Sequence, residues 1–273
     1  MEELPTALAE SIEAEFMYQY VSMAPPPMKS ALGIATTRIG GGVATSVRND
    51  PTEFWSKALG FGFDEPVTHD LIGRVVDFYR SQDSKVAVLQ IAPSVLPPDW
   101  EEIRAAYNLR PGAYNVKLAC PVETFWPGES KLDIRPVGPE AAMEWATVGL
   151  RGFGMPEEGL AEMLAGSNDH PDFHPFAAWD GDTMIATANL FIRGSIGSLN
   201  AGATLPEHRN QGAQSALLAR RAMEAAAMGC SWLVAETGLP AQGAANPSLN
   251  NMLRAGLRPL YSRRDWIWRP DAG

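Results

Sequence analysis

The stretch that decides the fold is Leu205–Cys230, "LPEHRNQGAQSALLARRAMEAAAMGC". A proline-led polar turn carries one glycine, Gly212, and runs directly into an alanine-rich helix. The segment before it, "SIGSLNAGAT", reads as a strand. The first N–H groups of a helix have no partner within it, and the helix dipole adds partial positive charge there. A strand that stops, turns and enters such a helix builds an anion site suited to phosphate. Gly212 has no Cβ to hold a ligand away from the backbone, and Arg209 adds positive charge at the mouth. Helical spacing places Ala216, Ala219, Met223, Ala226 and Ala227 on one face, with Cys230 continuing it, and Arg220, Arg221 and Glu224 on the other. The alanine face predicts a helix lying close against a sheet.

Working outward, the order of elements is mixed α/β. "KLDIRPV" reads as a strand, and "GPEAAMEWATVGL" and "PEEGLAEMLAG" as helices. "HPFAAWD" and "TMIATANLFIRG" form a hairpin at Asp180-Gly181-Asp182. After the opening helix come the strand "SWLVAET", a short helix "NPSLNNMLRAG" and the strand "RRDWIWRP", on which Trp266 and Trp268 share one face. The first half predicts a helix over Ala7–Val21 and a hairpin at Gly40-Gly41-Gly42. Helices at "PTEFWSKALGFG" and "THDLIGRVVDFYRSQ" follow, then a strand, a helix and a strand. "PVETFWPGES", with two prolines and a glycine, is the expected linker. It sets domains of 1–128 and 129–273.

The totals narrow the function. The chain has 273 residues, 45% hydrophobic content and a formal net charge of −10. No basic half exists to track a phosphate backbone, which argues against nucleic acid. No apolar run is long enough to span a membrane, and the acidic N-terminus lacks the basic region of a signal peptide. Cys120 and Cys230 lie far apart and show no metal spacing. A reducing, cytoplasmic setting is expected. His170 and His174 are four apart, but Pro171 and Pro175 break any helix that would align them, so no metal site is expected.

"LPEHRNQGAQSALL" resembles the pyrophosphate-binding motif of the GNAT (GCN5-related) N-acetyltransferases, Arg/Gln-x-x-Gly-x-Gly/Ala. Arg209 and Gly212 match; Gln214 stands where the motif has a small residue. "NPSLNNMLRAGL" resembles the family's Asn-x-Ser-x-x-Asn-x-x-x-x-Gly-Phe region. The resemblance covers roughly Leu132 to Trp268. The first half is similar in layout to the degenerate N-terminal domain of tandem members. The implied fold is a mixed, mostly antiparallel GNAT-like sheet flanked by helices, with two such domains in tandem. The implied activity moves an acetyl group from acetyl-CoA to an amine of a small molecule or peptide. The alternative is a non-catalytic acyl-CoA-binding or sensing protein.

The resemblance implies cofactor contacts from Ala203, Thr204, Leu205, Arg209, Asn210, Gln211, Gly212, Ala213, Gln214, Ser248 and Asn250. It also implies that "WLVAET" splays from "LNAGATLP" to open a slot. Many members use a tyrosine in the last helix as the acid; Met252 stands there, and Tyr261 lies further on. Glu236 is the base expected at the substrate mouth, with His208 and Glu207 as loop alternatives. Homodimerisation is a further expectation.

Overall fold

The computed structural model describes residues 4–126 and 132–270. The chain divides into two compact units, one holding Pro5–Asn115 together with the chain from Tyr261 onward, the other holding Leu4 and Val116–Leu260. The expected 128/129 boundary lies outside the described residues.

In the first unit, α1 (Thr6–Ser22) and α2 (Pro26–Leu32) precede β1 (Ile34–Ile39) and β2 (Gly42–Val47). Next come β3 (Lys57–Leu59), α3 (His69–Ser81), β4 (Ala87–Gln90), α4 (Trp100–Ala106) and the first part of β5 (Arg110–Pro121). β1 and β2 form the expected hairpin, with Ile39 opposite Gly42. "PTEFWSKALGFG" is not the expected helix. The Asp50 carboxylate accepts from the backbone N–H groups of Thr52, Phe54 and Trp55 and holds the preceding residues in a turn. Such local capture of backbone donors competes with helix formation. Lys57–Leu59 then pairs antiparallel with β2 and parallel with β4.

The second unit contains β6 (Asp133–Pro136), α5 (Ala142–Phe153), α6 (Leu160–Ala165), β7 (Phe173–Asp180), β8 (Thr183–Arg193) and β9 (Ile196–Thr204). It continues with α7 (Ala213–Ala227), β10 (Trp232–Gly238), α8 (Pro247–Arg254) and the start of β11 (Arg258–Trp268). β6 to β9 pair antiparallel in sequence, and Asp180 faces Thr183 across the expected tight turn. β10 joins β9 in parallel. The remainder of β11 belongs to the first unit, where it pairs antiparallel with β4 and buries Trp266 and Trp268.

Each unit has its own apolar core. In the second, Leu217, Leu218, Ala222 and Ala225 of α7 pack with Leu190, Leu199 and Leu233 of the sheet. Burying a leucine fully contributes about 1.5–3 kcal/mol. The inward face of α7 is not the one expected. Met223 is 63% exposed, and Ala226 and Ala227 are exposed too. Arg221, expected on the solvent face, is only 2% exposed. The buried positions are Ala213, Ala216, Leu217, Leu218, Arg221, Ala222 and Ala225. The two leucines outweigh the alanine stripe in choosing which side turns to the sheet.

Candidate functional site

The site begins where β9 stops pairing with β10. Their parallel register runs only from Ile196–Trp232 to Leu199–Ala235. Just past it the β8–β9 register slips: Asn189 faces Asn200, whereas Thr187 faces Ala203. β9 therefore carries an extra residue, and Ala201 takes a positive φ of 49°. A non-glycine residue is strained there, and a bulge of this kind bends its strand. The Asn189 amide donates to the Asn200 side chain at 2.9 Å, and the Arg221 guanidinium donates to the carbonyls of Asn189 and Asn200 at 2.9 and 3.1 Å. These bonds hold the bulge. Beyond it, the side of Asn200–Thr204 that would face β10 has no strand partner among the described residues.

β9 then passes through a short turn to Gly212, which caps α7 with φ 86°. A side chain is strained at that φ, though open space surrounds the position where its Cβ would stand. No side chain caps α7. Its leading N–H groups open onto a cavity of about 710 Å³. Gly152 of α5 makes the approach to β9 close: a Cβ there would stand 2.8 Å from that of Ala203.

Of the residues expected to hold the cofactor, Ala203, Thr204, Arg209, Asn210, Gly212, Ala213, Gln214 and Ser248 line this cavity. Leu205, Gln211 and Asn250 do not; the Leu205 N–H is instead bonded to the Ile185 carbonyl at 3.0 Å. Sequence reasoning missed Asn251, Arg254 and Arg221, which also line it. Arg209 donates to the carbonyls of Gly152 at 2.9 Å and Thr204 at 3.4 Å, which ties the turn to the end of α5. The Gln214 amide donates to Ser248 Oγ at 2.7 Å and accepts from Asn251 Nδ2 at 2.6 Å. Its side chain is therefore turned toward α8. Asn246 caps α8 through Leu249 N–H and also donates to the Gly238 carbonyl, fixing α8 to the end of β10.

His208 lines the cavity; Glu207, Glu236 and Tyr261 do not. Glu236 lies one residue past the part of β10 that pairs with β9, and its Oε2 stands 3.0 Å from the buried Lys117 ammonium of β5. Tyr261 belongs to the first unit, where its hydroxyl donates to Glu10 at 2.6 Å. Burial, with the Glu10 carboxylate beside it, raises its pKa well above the usual tyrosine value. Met252 is buried in the core of the second unit. Among the described residues no His, Cys, Asp or Glu cluster is placed to hold a metal, and no helix is long and apolar enough to cross a membrane.

A family model described as "Acetyltransferase (GNAT) family" matches residues 141–246, the span from the start of α5 to the Asn246 cap. Residues 141–246 are a GNAT acetyltransferase domain. Solved structures extend the likeness of fold beyond the GNAT domain. A GCN5-related N-acetyltransferase from Kribbella flavida is 16% identical, with a TM-score of 0.60, over 99% of this chain and 98% of its own. One from Sphaerobacter thermophilus is 12% identical, with a TM-score of 0.58, over 98% and 95%. A tandem GNAT protein from the clavulanic acid biosynthesis pathway is 11% identical, with a TM-score of 0.56, over 97% and 98%. No curated protein matches the sequence. The mostly antiparallel sheet flanked by helices, and solved structures of similar fold that span nearly the whole chain, fit two domains of GNAT-like fold in tandem.

Proposed function

We propose that the Val116–Leu260 unit is an acyl-CoA-dependent N-acetyltransferase. It would move an acetyl group from acetyl-CoA to an amine of a small molecule or peptide in the cytoplasm. The observation that carries this reading is the continuity of two backbone surfaces along one cavity. The unpartnered side of β9 leads directly to the uncapped N–H groups of α7. The first surface suits an extended arm bearing amides, and the second suits a pyrophosphate. Arg209 and Arg254 add positive charge, and among the described residues no Asp or Glu lines the cavity to oppose it.

The thioester supplies an activated acyl group. The chain contributes orientation, which converts a bimolecular encounter into a positioned one. It also contributes N–H donors on β9 toward a developing oxyanion. The attacking amine must first lose a proton. Glu236, just past the point where β10 leaves β9, is the group we assign as that base. Met252 offers no proton to a leaving thiolate, so that proton must come from another group or from solvent. The same residue favours a second reading, an acyl-CoA-binding protein with little turnover.

Calorimetric titration with acetyl-CoA tests the shared part. Saturable binding is expected, and its absence would sink both readings. An assay for free CoA across a panel of amines separates them: release above the buffer rate supports the transferase, and none supports the binding protein.

A further inference from the structure

Two arginines are buried among the described residues, one in each unit, and their charges are balanced differently. Arg263, 0% exposed, has the carboxylates of Glu10 and Glu13 against it. Arg221 has only carbonyl oxygens. Its Nε donates to Leu217 at 3.1 Å and its Nη1 to Asn189 and Asn200. Its Nη2 makes no hydrogen bond among the described residues. Burial pushes its pKa down to about 9, which still leaves it protonated at neutral pH. A buried charge without a counter-charge is costly. Nothing in the bulge requires that cost, since a neutral donor would also satisfy the two carbonyls.

Arg221 also lines the cavity, on the stripe Ala213–Leu217–Arg221 of α7. It lies nine residues after Gly212, about 13 Å along the helix axis. Gly202 of β9 faces Nη2, and its absent side chain leaves the space before the guanidinium open. A Cβ built there would be 3.8 Å from Nη2, with no other neighbour within 4 Å.

We propose that Arg221 Nη2 binds a carboxylate, so that the cavity holds a second anionic group at the opposite end from its phosphate-binding end. This rests on the acyl-CoA reading above. The carboxylate belongs either to the acyl group of the donor or to the amine acceptor, and the cavity's positive lining suits both. Arginine presents planar paired donors that match a carboxylate, which a neutral side chain tying the bulge would not.

The test compares two matched pairs on the wild-type protein by titration calorimetry, with CoA itself as reference. The donor pair is succinyl-CoA against acetyl-CoA. The acceptor pair is alanine against alaninamide, on protein saturated with CoA. One pair is expected to favour its carboxylate member about ten-fold, the size of one hydrogen bond to a charged group. The pair that discriminates identifies the source. Gly202→Asp brings a carboxylate of the chain's own to Nη2 and is expected to abolish the preference while leaving the arginine in place. Arg221→Gln is expected to do the same, and should it fail to fold, Gly202→Asp carries the test. CoA binding with equal affinities within both pairs overturns the proposal and leaves the acyl-CoA reading standing, as does a preference that survives Gly202→Asp. Failure of CoA itself to bind overturns the reading on which the proposal rests.

Discussion

At the scale of single residues, Gln214 separates what the motif suggests from what the side chain does. A glutamine in place of a small residue implies crowding of the phosphate end. The side chain instead reaches to Ser248 and Asn251, making two hydrogen bonds that connect α7 to α8. Gln214→Gly is therefore expected not to tighten CoA binding. It should lower stability by about 2 kcal/mol, from the lost hydrogen bonds and the added freedom of a helical glycine. Denaturant unfolding and CoA titration of the same variant read both effects; tighter binding would restore the crowding idea. Gly212 itself is held at φ 86° with open space around its missing Cβ. Gly212→Ala should cost about 1–2 kcal/mol in unfolding experiments, from backbone strain alone.

Gly212 was legible in sequence because a turn between strand and helix has few ways to present N–H groups. Arg221 was not. In a helix so rich in alanine, several stripes have similar hydrophobicity. The buried side is chosen by Leu217 and Leu218, which carries the arginine inward with them. The i, i+4, i+8 spacing of Ala213, Leu217 and Arg221 was the available signal.

At the scale of elements, the slot depends on β9 and β10 parting after Leu199 and Ala235. The expectation that "WLVAET" splays from β9 came from resemblance, whereas its cause, the bulge at Ala201, left no trace in composition. A positive φ at an alanine is a tertiary effect, imposed by Asn189, Asn200 and Arg221 from other parts of the unit. Where β10 leaves β9, Glu236 meets Lys117, whose side chain is 1% exposed. Glu236→Gln leaves that ammonium buried against a neutral amide and should destabilise the protein by about 3 kcal/mol. Lys117→Met combined with Glu236→Leu should recover most of the loss. Equal stability of Glu236→Gln and wild type in urea would show that the pair contributes nothing. The misreading of Lys57–Leu59 as helix has a similar origin. The three N–H groups gathered by Asp50 are an arrangement that residue preferences do not encode.

At the scale of the whole molecule, the chain is divided by contact rather than by its proline-rich stretch. The first unit takes back the chain from Tyr261 onward. β11 supplies it with Arg263, paired to Glu10 and Glu13, and with Trp266 and Trp268 packed in its core. Ending the chain at Leu260 should therefore strip hydrogen-exchange protection from β2 and β4. Protection in β7–β9, which lie in the other unit, should remain. Uniform loss, or no loss, in exchange measured by mass spectrometry would contradict this division. The net charge of −10 argues against a nucleic-acid partner but, being spread over the chain, locates nothing.

The return of β11 also sets an order on biogenesis. A ribosome releases residues 5–115 first, yet their sheet lacks a strand until residue 268 has been made. Apart from Leu4 at the other end of the chain, the second unit is one run from 116 to 260 and is delivered complete while its predecessor still waits. Vectorial synthesis thus inverts the usual sequence, in which the N-terminal domain folds first. In the interval, the edge of β4 that β11 will cover is open to pairing with another nascent chain, which makes it the place where chaperones would be needed most.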